Sequence, residues 1–168
     1  LMIRRPPRST LSSSSAASDV YKRQQGIESL PVRMDRHCEN AMEVAKFLEN
    51  HKCVTWVNYP GLESHKEYKL TQKLMNGKAS SVLSFGIKGG MKKGGVFIDN
   101  LNLITRLVNI GDAKSLACHP ASTTHRQLSK KELKAAGVPE DLVRLSIGLE
   151  NIDDIIEDLD KALKASQK

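Results

Sequence analysis

The stretch LVRLSIGLENIDDIIEDLDKALK, residues 142–164, carries the fold assignment. Val143, Leu145 and Ile147 alternate with Leu142, Arg144 and Ser146, the two-residue period of a strand with one buried face. Asn151 is a suitable helix cap. Beyond it Ile152, Ile155, Ile156, Leu159 and Leu163 fall on one stripe of a helix. Asp153 and Asp154 lie at the positive end of that helix dipole, Lys161 and Lys164 at the negative end. A one-faced strand running into a one-faced helix buries each on the other, which places the chain in the α/β class.

The same reading extends upstream. From Pro31 to Asn50 the positions Met34, His37/Cys38, Ala41, Val44/Ala45 and Leu48 recur at threes and fours, predicting a long amphipathic helix. Val54 to Trp56 is a short strand entering the turn Asn58-Tyr59-Pro60-Gly61. Ser64 and Glu67 have capping-box spacing for a short helix through Leu70 and Leu74, closed by Asn76-Gly77. Ser81 to Ile87 alternates as a strand ended by Gly89-Gly90. Gly95 to Leu103 is expected to be helical. Leu107-Val108 and Ala113 to Ala117 have strand character, and His119 to Gln127 is a polar loop. Ser129 and Glu132 form a second capping box, for a helix ending at Gly137. The expected architecture is a small sheet covered by helices on one face and preceded by a long linking helix.

The chain has 168 residues, enough for one domain with a hydrophobic core. Its longest apolar run falls short of the roughly 18 residues of a membrane-spanning helix. Cys38, Cys53 and Cys118 are odd in number and lack C-x-x-C spacing, which argues against disulfides and a cysteine zinc site and favours a reducing cytoplasm. Of the net charge of +7, residues 1–24 carry +4, with Arg4, Arg5, Arg8, Lys22 and Arg23 against Asp19. The remainder has no basic stripe interleaved with aromatics, so nucleic acid is not an expected partner. Residues 1–24, with a Pro-Pro pair and a serine run, show no strand or helix period and are expected to be a disordered, non-native tail. A transit peptide is one reading of such a start. The segment looks more like translated sequencing-adapter read-through.

Few residues suggest chemistry on pattern alone. Arg144 stands within an apolar strand, on the face of Ser146. A lone buried charge is costly, so its planar fork needs a carboxylate or an exit to water. A structural salt bridge or a solvated face satisfies the same pattern. The turn Gly111-Asp112-Ala113-Lys114-Ser115 could present backbone N–H groups to an anion, a weak signal by itself. Lys114 fits an exposed position. His119 and His125 lack a third partner for a metal, and Cys118 and His119, adjacent in a strand, point to opposite sides. The glycine-rich run from Gly86 to Gly95 fits neither phosphate-loop nor dinucleotide spacing.

The blocks Leu30-Pro-Val-Arg-Met-Asp-Arg-His37-Cys-Glu-Asn-Ala41, Val57-Asn-Tyr-Pro-Gly-Leu-Glu-Ser-His65, Leu83-Ser-Phe-Gly-Ile-Lys-Gly-Gly90, Asn109-Ile-Gly-Asp-Ala-Lys-Ser-Leu116, His119-Pro-Ala-Ser-Thr-Thr-His125 and Leu142-Val-Arg-Leu-Ser-Ile-Gly-Leu-Glu150 occur in one order. In that order they resemble the Cys/Met-metabolism family of pyridoxal-phosphate enzymes, over essentially all of residues 25–168. Ser84-Phe-Gly-Ile-Lys-Gly-Gly and Ser122-Thr-Thr-His-Arg-Gln-Leu look most like the O-acetylhomoserine sulfhydrylase branch. Methionine γ-lyases and cystathionine synthases and lyases are the alternatives within the family, and a non-enzymatic binding or assembly module is the alternative outside it.

The resemblance implies the small C-terminal domain of a fold-type I enzyme, with 25–52 as the helix leading from the cofactor domain and 53–168 as the domain proper. It implies that Arg144 holds the substrate α-carboxylate, assisted by Ser115 through its backbone or hydroxyl. The cofactor, pyridoxal 5′-phosphate, is held in the family by upstream residues, so neither a catalytic nor a cofactor-binding residue is expected here. The implied reaction replaces the acetate of O-acetylhomoserine by sulfide or a thiol, in a homotetramer when the protein is full length. The long first helix, with Met34, Ala41 and Leu48, is expected to lack part of its cover.

Overall fold

A computed structural model of the chain describes residues 13–168. The chain divides into two units between Val32 and Arg33. The first contains helix α1, Ser13–Glu28. This corrects the expectation of a helix-free start as far as Ser13 onwards is concerned; residues 1–12 lie outside the described residues. Its apolar side chains Val20, Tyr21 and Ile27 are all exposed, so they form no buried stripe. Periodicity therefore gave no signal for it. A turn at Ser29 separates it from α2, Leu30–Glu49, within one residue of the bounds expected from spacing.

The second unit is built on one five-stranded sheet. Its strands are β1 Val54–Asn58, β2 Val82–Ile87, β3 Thr105–Arg106, β4 Leu116–Cys118 and β5 Leu142–Ser146, in the spatial order β1-β2-β5-β4-β3. All neighbours are antiparallel except β3 and β4. The last strand of the chain thus lies at the centre, with Leu145 between Leu83 and Ala117. The helices are α3 Tyr68–Met75, α4 Gly90–Asp99, α5 Lys130–Ala135 and α6 Ile152–Gln167.

One sheet face is covered. Leu83, Phe85, Ile87, Ala117, Val143, Leu145 and Ile147 join a single buried cluster with Ala41, Val44 and Leu48 of α2, Phe97 and Ile98 of α4, and Ile155, Leu159 and Leu163 of α6. Phe85 and Phe97 meet edge to face with ring centres 5.7 Å apart. Polar clamps fix the helices. His37 Nδ1 lies 2.7 Å from the Ile147 carbonyl, and Asn40 Nδ2 donates to the Gly148 and Glu150 carbonyls at 3.0 Å each. From α6, Asp158 accepts the N–H groups of Asn102, Leu103 and Ile104, which sets the chain up for β3.

The structure corrects several local expectations. Ala41 and Leu48 are fully buried and Met34 is half-buried, while Leu30 and Val32 in the first turn of α2 are exposed; further exposed apolar side chains include Leu70, Leu74 and Met75 of α3 and Leu103, Leu107, Val108 and Ile110. The Ser64 capping box does not form. Glu67 caps α3 without a side-chain bond, and the Ser64 hydroxyl donates to Glu49. Helix α4 starts at Gly90, ahead of the apolar stripe, because Gly89 (φ 102°) turns the chain directly into it. β3 and β4 are each shifted from the expected runs. His119 to Gln127 opens with a 3₁₀ turn, Pro120–Ser122, of which Pro120 and Ala121 are buried. The Ser129–Glu132 capping box and the Asn151 cap form as the sequence predicts.

Candidate functional site: an arginine in an apolar cavity

Strand alternation puts Val143, Leu145 and Ile147 into the core, so Leu142, Arg144 and Ser146 must face the other way. The register extends that second face sideways. Arg144 has Ser84 opposite it on β2 and Cys118 opposite it on β4. All three line a cavity of about 380 Å³, completed by apolar groups including Val82, Val108, Val138 and Leu142. Among the described residues Arg144 is its only permanently charged side chain.

Arg144 Nη2 donates to the Asn109 carbonyl at 3.3 Å, a long bond for this type. Among the described residues no carboxylate pairs with it. The solvated-face and salt-bridge readings of the pattern therefore meet a half-buried guanidinium without a counter-ion in a largely apolar recess. Such a group holds capacity for an external anion, and its fork suits a carboxylate. Burial pushes the neighbouring Cys118 thiol above its usual pKa, against the pull of Arg144, so the thiol stays neutral and is no counter-ion.

Ser115 does not join Arg144. It is fully buried; its N–H and hydroxyl both donate to the Glu150 carboxylate, at 2.6 and 2.9 Å, and its oxygen accepts the Gly148 N–H at 2.8 Å. With both donors engaged within the chain, Ser115 locks the start of β4 onto the turn after β5. Gly148 is required there, because a Cβ would lie 2.5 Å from the Ala113 carbonyl oxygen. Among the described residues no cluster of His, Cys, Asp or Glu could hold a metal. His119 is buried between Ser122 and the Glu140 carbonyl, and burial lowers its pKa.

Sequence reasoning missed Ser84, read only as part of a strand. Its shared face with Arg144 depends on the β2–β5 register, which no local pattern reveals. The fit of pyridoxal phosphate is tested by the same lining. Among the described residues the cavity is lined by neither a lysine to bind the aldehyde nor an acidic group for the pyridine nitrogen. These residues do not fit the cofactor's anchor.

Known proteins place this geometry in a family. The profile of the Cys/Met metabolism PLP-dependent enzymes matches residues 7–164, beginning inside the segment expected to be foreign to the fold. The O-acetyl-L-homoserine sulfhydrylase of Leptospira meyeri is 55% identical over 141 residues, which are 83% of this chain and 32% of that protein. The homocysteine synthase of Schizosaccharomyces pombe is 48% identical over 147 residues, 88% of this chain and 34% of that protein. Among solved structures, an O-acetylhomoserine (thiol)-lyase of Campylobacter jejuni with a pyridoxyl-lysine phosphate superposes with a TM-score of 0.76 at 44% identity, covering 83% of this chain and 33% of that one. The chain thus spans about one third of the length of the relatives it matches. With a profile match over nearly its whole length, the chain belongs to the Cys/Met metabolism PLP-dependent enzyme family.

Proposed function

We propose that this chain is the substrate-carboxylate-binding portion of a longer cytoplasmic, pyridoxal-phosphate-dependent transferase. The enzyme exchanges the acetate of O-acetylhomoserine for sulfide or a thiol, the homocysteine-forming step of methionine biosynthesis. Residues 25–52 form the link from a cofactor domain and 53–168 the C-terminal domain, in a homotetramer. The cofactor and its lysine come from the rest of the protein. One observation carries the reading: Arg144 is the lone charge in an apolar cavity and has no carboxylate partner among the described residues. By gripping the α-carboxylate, it would fix how the substrate's reacting bonds are presented, a positioning role. The apolar walls lower the local dielectric around the guanidinium, which would strengthen that grip. Residues 1–24 we read as foreign to the protein; a native transcript running in frame through them would return them to it.

The test uses the full-length protein containing this chain. Arg144→Lys keeps the charge but loses the fork, and is expected to lower kcat/KM by about 30- to 1,000-fold, or ~2–4 kcal/mol. Arg144→Ala falls further. Cofactor absorbance and melting temperature stay near wild type in both. A role confined to folding gives the reverse, with lowered melting temperature and intact kinetics, and would overturn the assignment.

A further inference from the structure

We infer that Ser84 supplies the second donor of the carboxylate site, its hydroxyl binding the same group as the Arg144 guanidinium; the inference rests on the carboxylate reading of the cavity.

Several polar side chains of the cavity already make one hydrogen bond. Asn58 Oδ1 is held by His65 Nε2 at 2.9 Å, and Thr124 and His125 bond each other at 2.8 Å. Asn109 offers only its backbone carbonyl to Arg144. Ser84 is half-buried, lines the cavity and has no side-chain hydrogen bond to any described residue. It is also the direct cross-strand partner of Arg144. Residues so paired have Cβ atoms about 4.5–5.5 Å apart and project side by side.

The two groups complement each other chemically. A carboxylate accepts about four hydrogen bonds, of which a guanidinium fork supplies two. A hydroxyl beside the fork reaches a lone pair that the fork leaves free. On the other flank Cys118 presents a neutral thiol, a weak donor. The row Ser84–Arg144–Cys118 therefore has its strong donors on the β2 side, which gives the bound carboxylate a sidedness that Arg144 alone would not impose.

The experiment uses the full-length holoenzyme with Ser84→Ala and Ser84→Thr. Two competitive inhibitors are compared: L-norvaline, and butylamine, which is the same skeleton without the carboxylate. Ser84→Ala is expected to weaken norvaline about tenfold and butylamine less than about twofold, with the KM for O-acetylhomoserine raised and kcat nearly kept. Ser84→Thr retains the hydroxyl and restores norvaline binding to within about threefold of wild type. Equal losses for both inhibitors would show a merely structural serine and overturn the inference, as would unchanged norvaline binding in Ser84→Ala. Arg144→Lys in the same assay separates the two levels. If it weakens norvaline while Ser84→Ala does not, only the Ser84 assignment falls. If neither variant affects norvaline, the carboxylate reading of the cavity falls as well.

Discussion

The two faces of β5 contrast sharply although they are made of the same five residues and their neighbours. Val143, Leu145 and Ile147 are completely buried beneath helices, each in contact with side chains that fill the space around it. Arg144, one residue away, is half-buried, lines a cavity of about 380 Å³ and among the described residues bonds only a backbone carbonyl. Ser146, on the same face, is buried to 3% exposure, yet its hydroxyl has no hydrogen-bond partner among the described residues. The covered face is complete within this chain. The open face holds unspent hydrogen-bonding capacity, which is where a binding surface has to come from. A site is expensive to keep folded, and the covered face offsets that cost by burying apolar area on the other side of the same strand.

The comparison breaks most easily on the covered side. Leu145→Ala removes a fully buried side chain at the sheet centre and is expected to cost ~2–5 kcal/mol, read as a lowered denaturant midpoint. A loss under ~1 kcal/mol would mean that the core is loosely packed and that the two faces differ little.

Next comes Asp158→Asn. The carboxylate collects three backbone N–H groups, and an amide offers one oxygen with an NH₂ turned towards the remaining donors. Leaving a buried N–H unpaired costs ~1–3 kcal/mol. Because the tethered segment leads into β3, faster amide exchange should appear first at residues 102–106. Uniform acceleration over the whole sheet would show that the tether is not local.

His119 bears on the boundary between the faces. Its imidazole is buried and its pKa lies below the ordinary 6.5, chiefly through desolvation. The folded state therefore binds a proton less readily than the unfolded one. The stabilising contribution is fully present above about pH 6.5 and is lost as pH falls below that value. Chemical denaturation from pH 7 to pH 5 should show a steeper loss in the wild type than in His119→Gln. Parallel slopes would rule out His119 as the source.

The smallest effect is expected on the open side. Ser146→Ala removes a buried hydroxyl that bonds nothing, so stability should stay within ~0.5 kcal/mol or rise. A fall of more than ~1 kcal/mol would show that the open face is packed as tightly as the covered one.

The faces also differ in how far the sequence disclosed them. Val143, Leu145 and Ile147, like Ile155, Leu159 and Leu163, announce their burial by spacing, because one buried face imposes a period on a regular element. Asn151 and Ser129 announced their helices, since caps are satisfied locally. Ser64 had the same spacing as Ser129, but Glu49 of α2 captured its hydroxyl, a competitor 15 residues away. Helix α1 had no stripe to read. Arg144 was conspicuous as a charge in an apolar strand, and only family resemblance suggested a role for it.

Ser115 and Ser84 show where such reading ends. In sequence they differ little from other small hydroxyls, Ser84 lying within a strand and Ser115 at the end of a turn. Tertiary structure distinguished them, because Glu150 and Gly148 fold back over Ser115 and consume its donors, while the β2–β5 register sets Ser84 beside Arg144 with its hydroxyl free. By itself, then, the sequence determined the α/β class, the long second helix, the covered strand faces and the lone arginine, all consequences of period and charge within a dozen residues. The cavity, and the place of Ser84 in it beside Arg144, were decided only by β2 and β5 coming into register, Ser84 opposite Arg144, and pairing between segments so far apart in sequence leaves no local trace.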